Sequence, residues 1–240
     1  MIVSIHQPNH LPYLGFFDKI ARSDKFIVYD DAQFVKGDFH NRNKIRTQEG
    51  FQWLTVPVNV EFGDTINKVR IDNSSFWAKK HFKSITANYG NAPYFRDYIE
   101  SFEKIYSKTW NNLAELNIEI IQLLIRFFNI KTPIVKSTEL GNFKSKSTER
   151  LVDFCREVGA TVYLSGSLGK NYIDKSVFEQ AGIKVEYQNF NHPIYKQNFE
   201  GFIPNMSAID LLFNCGGKSL SIIMQDNINK EELKDWLSQN

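Results

Sequence analysis

The residues best suited to chemistry in this chain directly follow its first apolar segment. Residues 1–5 have the β-branched content of a buried strand, and His6, Gln7 and Asn9 come shortly after them. Imidazole titrates closer to neutral pH than other side chains, and amides bind polar ligands through hydrogen bonds. We therefore expect His6 to be catalytic and Gln7, Asn9 and Tyr13 to bind substrate. The competing interpretation is an ordinary turn, stiffened by its prolines.

Polar residues also stand where two later strands are predicted to end. Asp30 closes the second predicted strand, and Ser165 and Gly166 follow another. The carboxyl ends of parallel strands meet at one edge of a sheet, so these residues should converge with His6. A carboxylate at that edge could hold a ribose hydroxyl, a metal ion or a proton in transit, and we expect Asp30 to be catalytic. Paired aspartates at a turn are also common without such a role.

Two polar segments contribute basic side chains. The segment 34–46 is rich in amides and bases and is predicted to be a binding loop, in which Arg42 and Arg46 would clamp a phosphate or carboxylate. After the later strand, Lys170 would join Arg42 on a diphosphate. The glycine spacing there matches neither a P-loop nor a dinucleotide fingerprint, and a turn with an exposed lysine is the alternative. The substrate-binding residues predicted in both segments are Asn41, Arg42, Asn43, Arg46, Ser165, Gly166, Lys170 and Tyr172.

Three further residues have side chains that can react. His192 follows the last predicted strand and is a candidate general base, although His-Pro is also an ordinary way for a chain to leave a sheet. Cys155 falls on the apolar side of a predicted helix and should be a buried thiol. Cys215 would need a neighbouring base to act as a nucleophile. Neither cysteine has metal-binding spacing, so we expect no metal site.

The order of strands and helices predicts an α/β fold with a mainly parallel sheet and helices on both faces. Between residues 51 and 132 an antiparallel and helical segment interrupts this pattern. We expect residues 1–240 to form a single domain that carries this insertion. Strands are predicted at Met1–Ile5, Lys25–Tyr29, Ile134–Lys136, Thr161–Leu164 and Ile183–Tyr187.

Composition narrows the class of protein. Of the 240 residues, 42% are hydrophobic and 23% are charged, which is typical of a globular chain. A net charge of +2 argues against nucleic acid as a partner. There is no long apolar run and no basic leader before the first strand, so we expect a cytoplasmic protein without membrane insertion. The sequence leaves cofactors and the oligomeric state open.

Several motifs stand out along the chain: His6-Gln7-Pro8-Asn9, Leu11-Pro12-Tyr13-Leu14-Gly15-Phe16-Phe17-Asp18-Lys19-Ile20, Asn41-Arg42-Asn43, Tyr163-Leu164-Ser165-Gly166 and Ser207-Ala208-Ile209-Asp210-Leu211-Leu212-Phe213-Asn214-Cys215-Gly216. Together they resemble the WbqC-like family of bacteria. The resemblance covers nearly the whole chain, and it implies a sugar or nucleotide-sugar context because that family is tied to gene clusters for surface polysaccharide and O-antigen synthesis. It supplies no established catalytic residue.

The resemblance and the candidate residues lead to one main expectation and two alternatives. The main one is an enzyme that acts on a nucleotide-linked sugar and transfers an acyl or aminoacyl group to a sugar amine. One alternative is nucleotidyl transfer, since the strand-end histidine is similar to that of adenylyltransferases, although the H-x-G-H motif is replaced here by His6-Gln7-Pro8-Asn9. The other is a non-catalytic protein that binds nucleotide-linked sugars or assists assembly.

Overall fold

A five-stranded parallel sheet forms the centre of the computed structural model, which describes residues 1–239. The strand order is β7-β2-β1-β8-β9, and every pairing in this sheet is parallel. The parallel sheet predicted from the sequence is therefore confirmed. The strands are β1 Ile2–His6, β2 Lys25–Val28, β3 Arg42–Thr47, β4 Gly50–Thr55, β5 Val58–Asn59, β6 Arg70–Ile71, β7 Ile134–Lys136, β8 Val162–Ser165 and β9 Lys184–Tyr187.

Helices cover both faces of this sheet, as predicted. Within residues 1–239, no helix is both long enough and apolar enough to cross a membrane. The helices are α1 Leu14–Ala21, α2 Trp77–Tyr89, α3 Phe95–Ser107, α4 Leu113–Phe127, α5 Ser137–Leu140, α6 Ser147–Glu157, α7 Lys175–Gln180, α8 Ala208–Cys215, α9 Ser219–Met224 and α10 Lys230–Gln239, with short 3₁₀ turns at Ile66–Lys68, Ser167–Asn171 and Gly216–Lys218.

The alternation of side chains along the strands creates two separate apolar layers. Val3 and Ile5 of β1 pack in one cluster with Phe154 of α6. Phe26 of β2 belongs to another cluster, which includes Phe17 of α1. Successive strand residues point to opposite faces, so one sheet can bury both sets of helices.

The inserted segment packs on the same side as α1. Together with β3, which precedes residue 51, it forms two small antiparallel sheets, β3–β4 and β5–β6, and it contains the helices α2 to α4. Leu116, Ile120 and Leu124 recur along α4 with no exposed surface and join the hydrophobic cluster of α1. This spacing of three or four residues is the apolar stripe of an amphipathic helix.

One prediction for this region is wrong. Residues 42–46, predicted to belong to a binding loop, instead lie in β3, which pairs in antiparallel register with β4. Asn43 and Ile45 face inward and are buried, whereas Lys44 stays partly exposed. The alternation of buried and exposed residues is hard to recognise in the sequence, because the buried residue Asn43 is a polar amide.

Candidate functional site

The carboxyl ends of β1 and β8 lie side by side in the middle of the sheet. From β1 the chain builds outward through β2 to β7, and it then crosses to β8 on the other side of β1. This is the topological switch point, where open α/β sheets bind their ligands. His6 ends β1 and Ser165 ends β8.

His6 presents a neutral imidazole at this edge. Its Nδ1 lies 3.0 Å from the carbonyl oxygen of Gln7. A carbonyl oxygen only accepts hydrogen bonds, so we assign the proton to Nδ1 and the lone pair to Nε2. Burial, reinforced by the nearby Lys19 charge, lowers the pKa of His6 to about 3. The ring also packs edge-on against Phe16 of α1, with centroids 5.1 Å apart.

Lys19 is a residue of this edge that the sequence analysis did not single out. It is only 2% exposed, and its Nζ donates to the carbonyl oxygen of Ile5 at 3.3 Å. The same Nζ lies 3.9 Å from the position that a Cβ on Gly166 would occupy. Burial lowers the pKa of Lys19 to about 7, against the opposing effect of Asp18. Lys19 therefore connects the ends of β1 and β8.

A buried polar network fixes the helix that carries Lys19. Asp18 has no exposed surface and accepts hydrogen bonds at 2.5 Å from both Arg22 and Gln188. Gln188, which follows β9, also donates to the carbonyl oxygen of Gly15 at 2.7 Å. The signal for this arrangement was a pair of adjacent charges within an otherwise apolar short helix.

The segment after β8 places its backbone at the edge and its longer side chains in solvent. Ser165 is fully buried, and a Cβ on Gly169 would lie 2.1 Å from its Oγ, so only glycine allows this close approach. Lys170 is exposed, with Nζ 5.5 Å from the centroid of the Tyr187 ring. Tyr172 is exposed as well. Ligand binding by Ser165, Gly166, Lys170 and Tyr172 stays a prediction.

Two amides hold the loop that follows His6. Asn43 of β3 is buried and donates to the carbonyl oxygen of Leu11 at 2.7 Å. Leu11 has a φ of +44°, which is unfavourable for a branched side chain and needs such support. Asn117 of α4 donates to the carbonyl oxygens of Pro8 and His40 at 2.8 and 2.7 Å. Asn43, predicted to bind substrate, is thus already hydrogen-bonded within the protein.

The remaining predicted residues of this loop differ in exposure. Gln7 is partly exposed directly beside His6, whereas Asn9 is buried. Tyr13 is partly exposed and packs edge-on against Phe190 at 6.2 Å between centroids. Burial and the nearby Asp18 raise the pKa of Tyr13, which therefore stays a neutral phenol.

Asp30 lies at the same sheet edge, but its carboxylate is already hydrogen-bonded to other residues of the protein. Oδ1 accepts from the Ser137 hydroxyl at 2.8 Å and from the Thr138 backbone N–H at 3.2 Å, and Oδ2 accepts from the Thr138 hydroxyl at 2.8 Å. Asp30 also lines a cleft of about 490 Å³ between α4 and β7. Its geometry is that of a cap on the short helix α5.

The two arginines expected to clamp an anion have different surroundings. The guanidinium of Arg42 lies 4.5 Å above the centroid of the Trp53 ring and donates to the Gly37 carbonyl oxygen. Arg46 is only 3% exposed and donates to the carbonyl oxygens of Gly50 and Glu200 at 3.0 and 2.6 Å. Arg46 therefore ties the hairpin to a later loop, and Arg42 is the more accessible of the pair. Asn41 supports the hairpin by donating to the carbonyl oxygen of Val56 at 2.8 Å.

His192 has both ring nitrogens engaged. Nδ1 lies 2.9 Å from the Pro193 carbonyl oxygen, and Nε2 accepts from the Asn205 backbone N–H at 3.1 Å.

Cys155 is buried as predicted, and burial raises the pKa of its thiol to about 12. Burial also raises the pKa of Cys215. In the part of the chain that the structure describes, no three His, Cys, Asp or Glu side chains cluster in a way that would hold a metal ion.

Comparison with known proteins identifies the family. A sequence profile described as the WbqC-like protein family matches residues 7–222. The uncharacterized protein Rv1507c of Mycobacterium tuberculosis is 38% identical over 221 residues, which cover 90% of this chain and 95% of that protein. No solved structure matches. Since the profile spans most of the chain, and the relative is similar over nearly its full length, this chain belongs to the WbqC-like family.

Proposed function

We propose that this chain is an enzyme of bacterial surface polysaccharide synthesis that transfers an acyl or aminoacyl group to the amine of a nucleotide-linked sugar. The observation that carries the proposal is the meeting of a neutral imidazole, His6, and a buried amine, Lys19, at the switch point of the sheet. The sugar context is what the resemblance to the WbqC-like family implies, and the match to that family supports it. The two side chains supply the groups that acyl transfer needs.

His6 is suited to accept a proton during the reaction. The sugar amine would attack the acyl carbon, forming a C–N bond while the carbonyl electron pair moves onto oxygen. The nitrogen of this tetrahedral intermediate is positively charged, and His6 Nε2, which carries the lone pair, would accept its proton. Collapse of the intermediate then breaks the bond to the leaving group, which departs with the electron pair and receives the proton.

Lys19 is suited to stabilise the oxyanion of that intermediate. Its ammonium group has one hydrogen bond, to the carbonyl oxygen of Ile5, so two N–H donors remain for the developing negative charge. A charge fixed in a site shielded from water acts more strongly than one in solution. Lys19 Nζ lies beside Gly166. Because glycine has no side chain, a reacting group has space to approach the ammonium group there.

The direct test is turnover with defined reactants. The purified protein would be incubated with a nucleotide-linked amino sugar and a panel of acyl thioesters and activated amino acids, and mass spectrometry would search for the amide product. We expect an amide with the wild type and a strongly reduced yield with Lys19→Met, with Lys83→Met as the control at an exposed lysine. Tight binding of the sugar without consumption of any donor would favour the non-catalytic alternative. Magnesium-dependent release of diphosphate from a nucleoside triphosphate would favour nucleotidyl transfer instead.

A further inference from the structure

The outward face of the β3–β4 hairpin combines cations with exposed aromatic rings. Lys44 pairs with Trp53 across the two strands, and residues paired in this way share one face of the hairpin. Arg42 and Phe51 lie two residues away along their strands and therefore point to the same side. Phe51 and Trp53 keep 50% and 38% of their surface exposed. On the opposite face Asn43, Ile45 and Leu54 are buried, so the core lies on that side and not beneath the aromatic residues.

Contacts on this face form a compact cation–aromatic platform, which we define as Phe39, Arg42, Lys44, Phe51 and Trp53. The guanidinium of Arg42 lies 4.5 Å above the Trp53 ring, and Lys44 Nζ lies 5.0 Å from the Phe51 centroid. Phe39, which precedes the hairpin and is 41% exposed, lies 6.0 Å from Trp53 between centroids. Rings held by neighbouring cations are ordered in advance for stacking.

The platform adjoins the loop that follows His6. The backbone carbonyl of Phe39 accepts from the N–H of His10 at 2.9 Å. The next residue, His40, is close enough to His6 to contribute to the lowering of its pKa. A ligand bound on the platform can therefore extend toward the switch point.

The chemistry of the platform fits a planar ring that carries negative charge. Exposed aromatic faces stack on nucleobases with little dependence on their sequence, and arginine and lysine bind phosphate oxygens. The platform contains two cations and no acidic side chain, so it is complementary to a diphosphate. A neutral sugar would use the rings but leave both cations without an anionic partner.

We propose that the cation–aromatic platform binds the nucleoside diphosphate part of the substrate. Trp53 and Phe39 stack on the base, and Arg42 and Lys44 bind the two phosphates. This inference rests on the proposed function for the presence of a nucleotide, and it adds Phe39, Lys44 and Trp53 as positioning residues. The sugar then lies between the platform and His6.

Calorimetry with uridine diphosphate tests the stacking. We expect Trp53→Leu to weaken binding at least tenfold, in line with the effect of removing one stacked aromatic ring. Trp236→Leu is the matched control, because Trp236 is also exposed, at 46%, and also lies beneath a lysine, with Lys184 Nζ at 5.1 Å. Circular dichroism spectra and melting temperatures would confirm that both variants are folded.

Binding of inorganic diphosphate, which has the phosphates but no base, separates the role of the aromatic rings from that of the cations. Arg42→Gln should weaken both uridine diphosphate and inorganic diphosphate, whereas Trp53→Leu should weaken only the nucleotide. Equal affinity of wild type and Trp53→Leu for uridine diphosphate would overturn the inference. Sedimentation with vesicles of anionic phospholipid in place of nucleotide binding would overturn it too and assign the platform to a membrane surface.

These measurements need no turnover, so they separate the two proposals. Nucleotide binding that depends on Trp53, in a protein that transfers no acyl group, would support the platform and contradict the catalytic proposal. Acyl transfer with an unchanged KM for the nucleotide-linked sugar in Trp53→Leu would do the reverse.

Discussion

The polar side chains at two neighbouring strand ends of the sheet differ in how fully they are hydrogen-bonded within the protein. His6 at the end of β1 is aligned with Val28 at the end of β2, two residues before Asp30. At the β2 end, the carboxylate of Asp30 accepts three hydrogen bonds from Ser137 and Thr138. At the β1 end, the side chains of His6 and Lys19 each make one hydrogen bond, in both cases to a backbone carbonyl oxygen.

This contrast separates a structural from a functional use of buried polar groups. A satisfied carboxylate stabilises the fold, because removing it leaves its donors without partners. A buried amine with free donors and an imidazole held neutral weaken the fold, and they retain capacity for a ligand. The polar residues of the β1 end and of the β2 end both lie at the carboxyl edge of the sheet. Their hydrogen-bond partners, and not their position, therefore distinguish a functional from a structural role.

The largest expected effect is on the rate of catalysis at the β1 end. His6→Asn removes the proton acceptor at Nε2, so we expect turnover to fall by about 10² to 10⁴ while the fold is retained. Steady-state kinetics on the folded variant is the measurement. His192→Asn is the matched control, because both nitrogens of His192 are already engaged, and its effect should stay below about tenfold. Full activity of His6→Asn would show that the polar residues at the β1 end have a structural role, like Asp30 at the β2 end.

The next effect concerns stability at the β2 end. Asp30→Ala leaves the backbone N–H and the hydroxyl of Thr138 without their acceptor, whereas the Ser137 hydroxyl keeps Asp31, and the free energy of unfolding should fall by about 3 kcal/mol. Urea denaturation followed by circular dichroism would measure it. If the variant were fully stable but inactive, Asp30 would be catalytic, as the sequence predicted.

The pH dependence of activity sharpens the comparison further. With the pKa of Lys19 at about 7, the ammonium form is complete well below pH 7 and is lost as the pH rises above it. In the wild type, kcat/KM should therefore fall about tenfold per pH unit above 7, relative to Lys19→Arg, whose side chain stays charged. Taking the ratio of the two enzymes cancels titration of the substrate amine. A constant ratio between pH 6 and 9 would exclude Lys19 as the source of the charge.

The smallest effect is expected at the exposed end of the segment after β8. Lys170 lies in solvent above Tyr187, where a phosphate contact is screened. We expect Lys170→Ala to weaken binding of a nucleotide-linked sugar about two- to fivefold at low salt, and the difference to shrink in 0.5 M salt. Calorimetry at two salt concentrations checks this. A loss that salt does not reduce would place Lys170 inside the site.

The sequence by itself determined the architecture and several local details. All five strands of the parallel sheet were predicted from the sequence. The central strands β1, β2 and β8 are mainly apolar because both of their faces are buried, whereas the edge strand β9 alternates apolar and polar residues. A local motif also starts the last helix, a capping box in which Asn229 Oδ1 accepts from the Glu232 N–H at 3.0 Å and Glu232 Oε2 accepts from the Asn229 N–H at 2.7 Å. The motifs also indicated the family. These features depend on residues close together in the chain.

Only the tertiary structure decided which polar residues remain free to act. Lys19 meets Ile5 and Gly166 because separate strands bring their ends together. Conversely, Asp30 is engaged by a hydroxyl more than a hundred positions away, and Arg46 by a carbonyl at residue 200. Hydrogen-bond partners and desolvation depend on contacts between distant segments, and a single sequence read along its length does not contain those contacts.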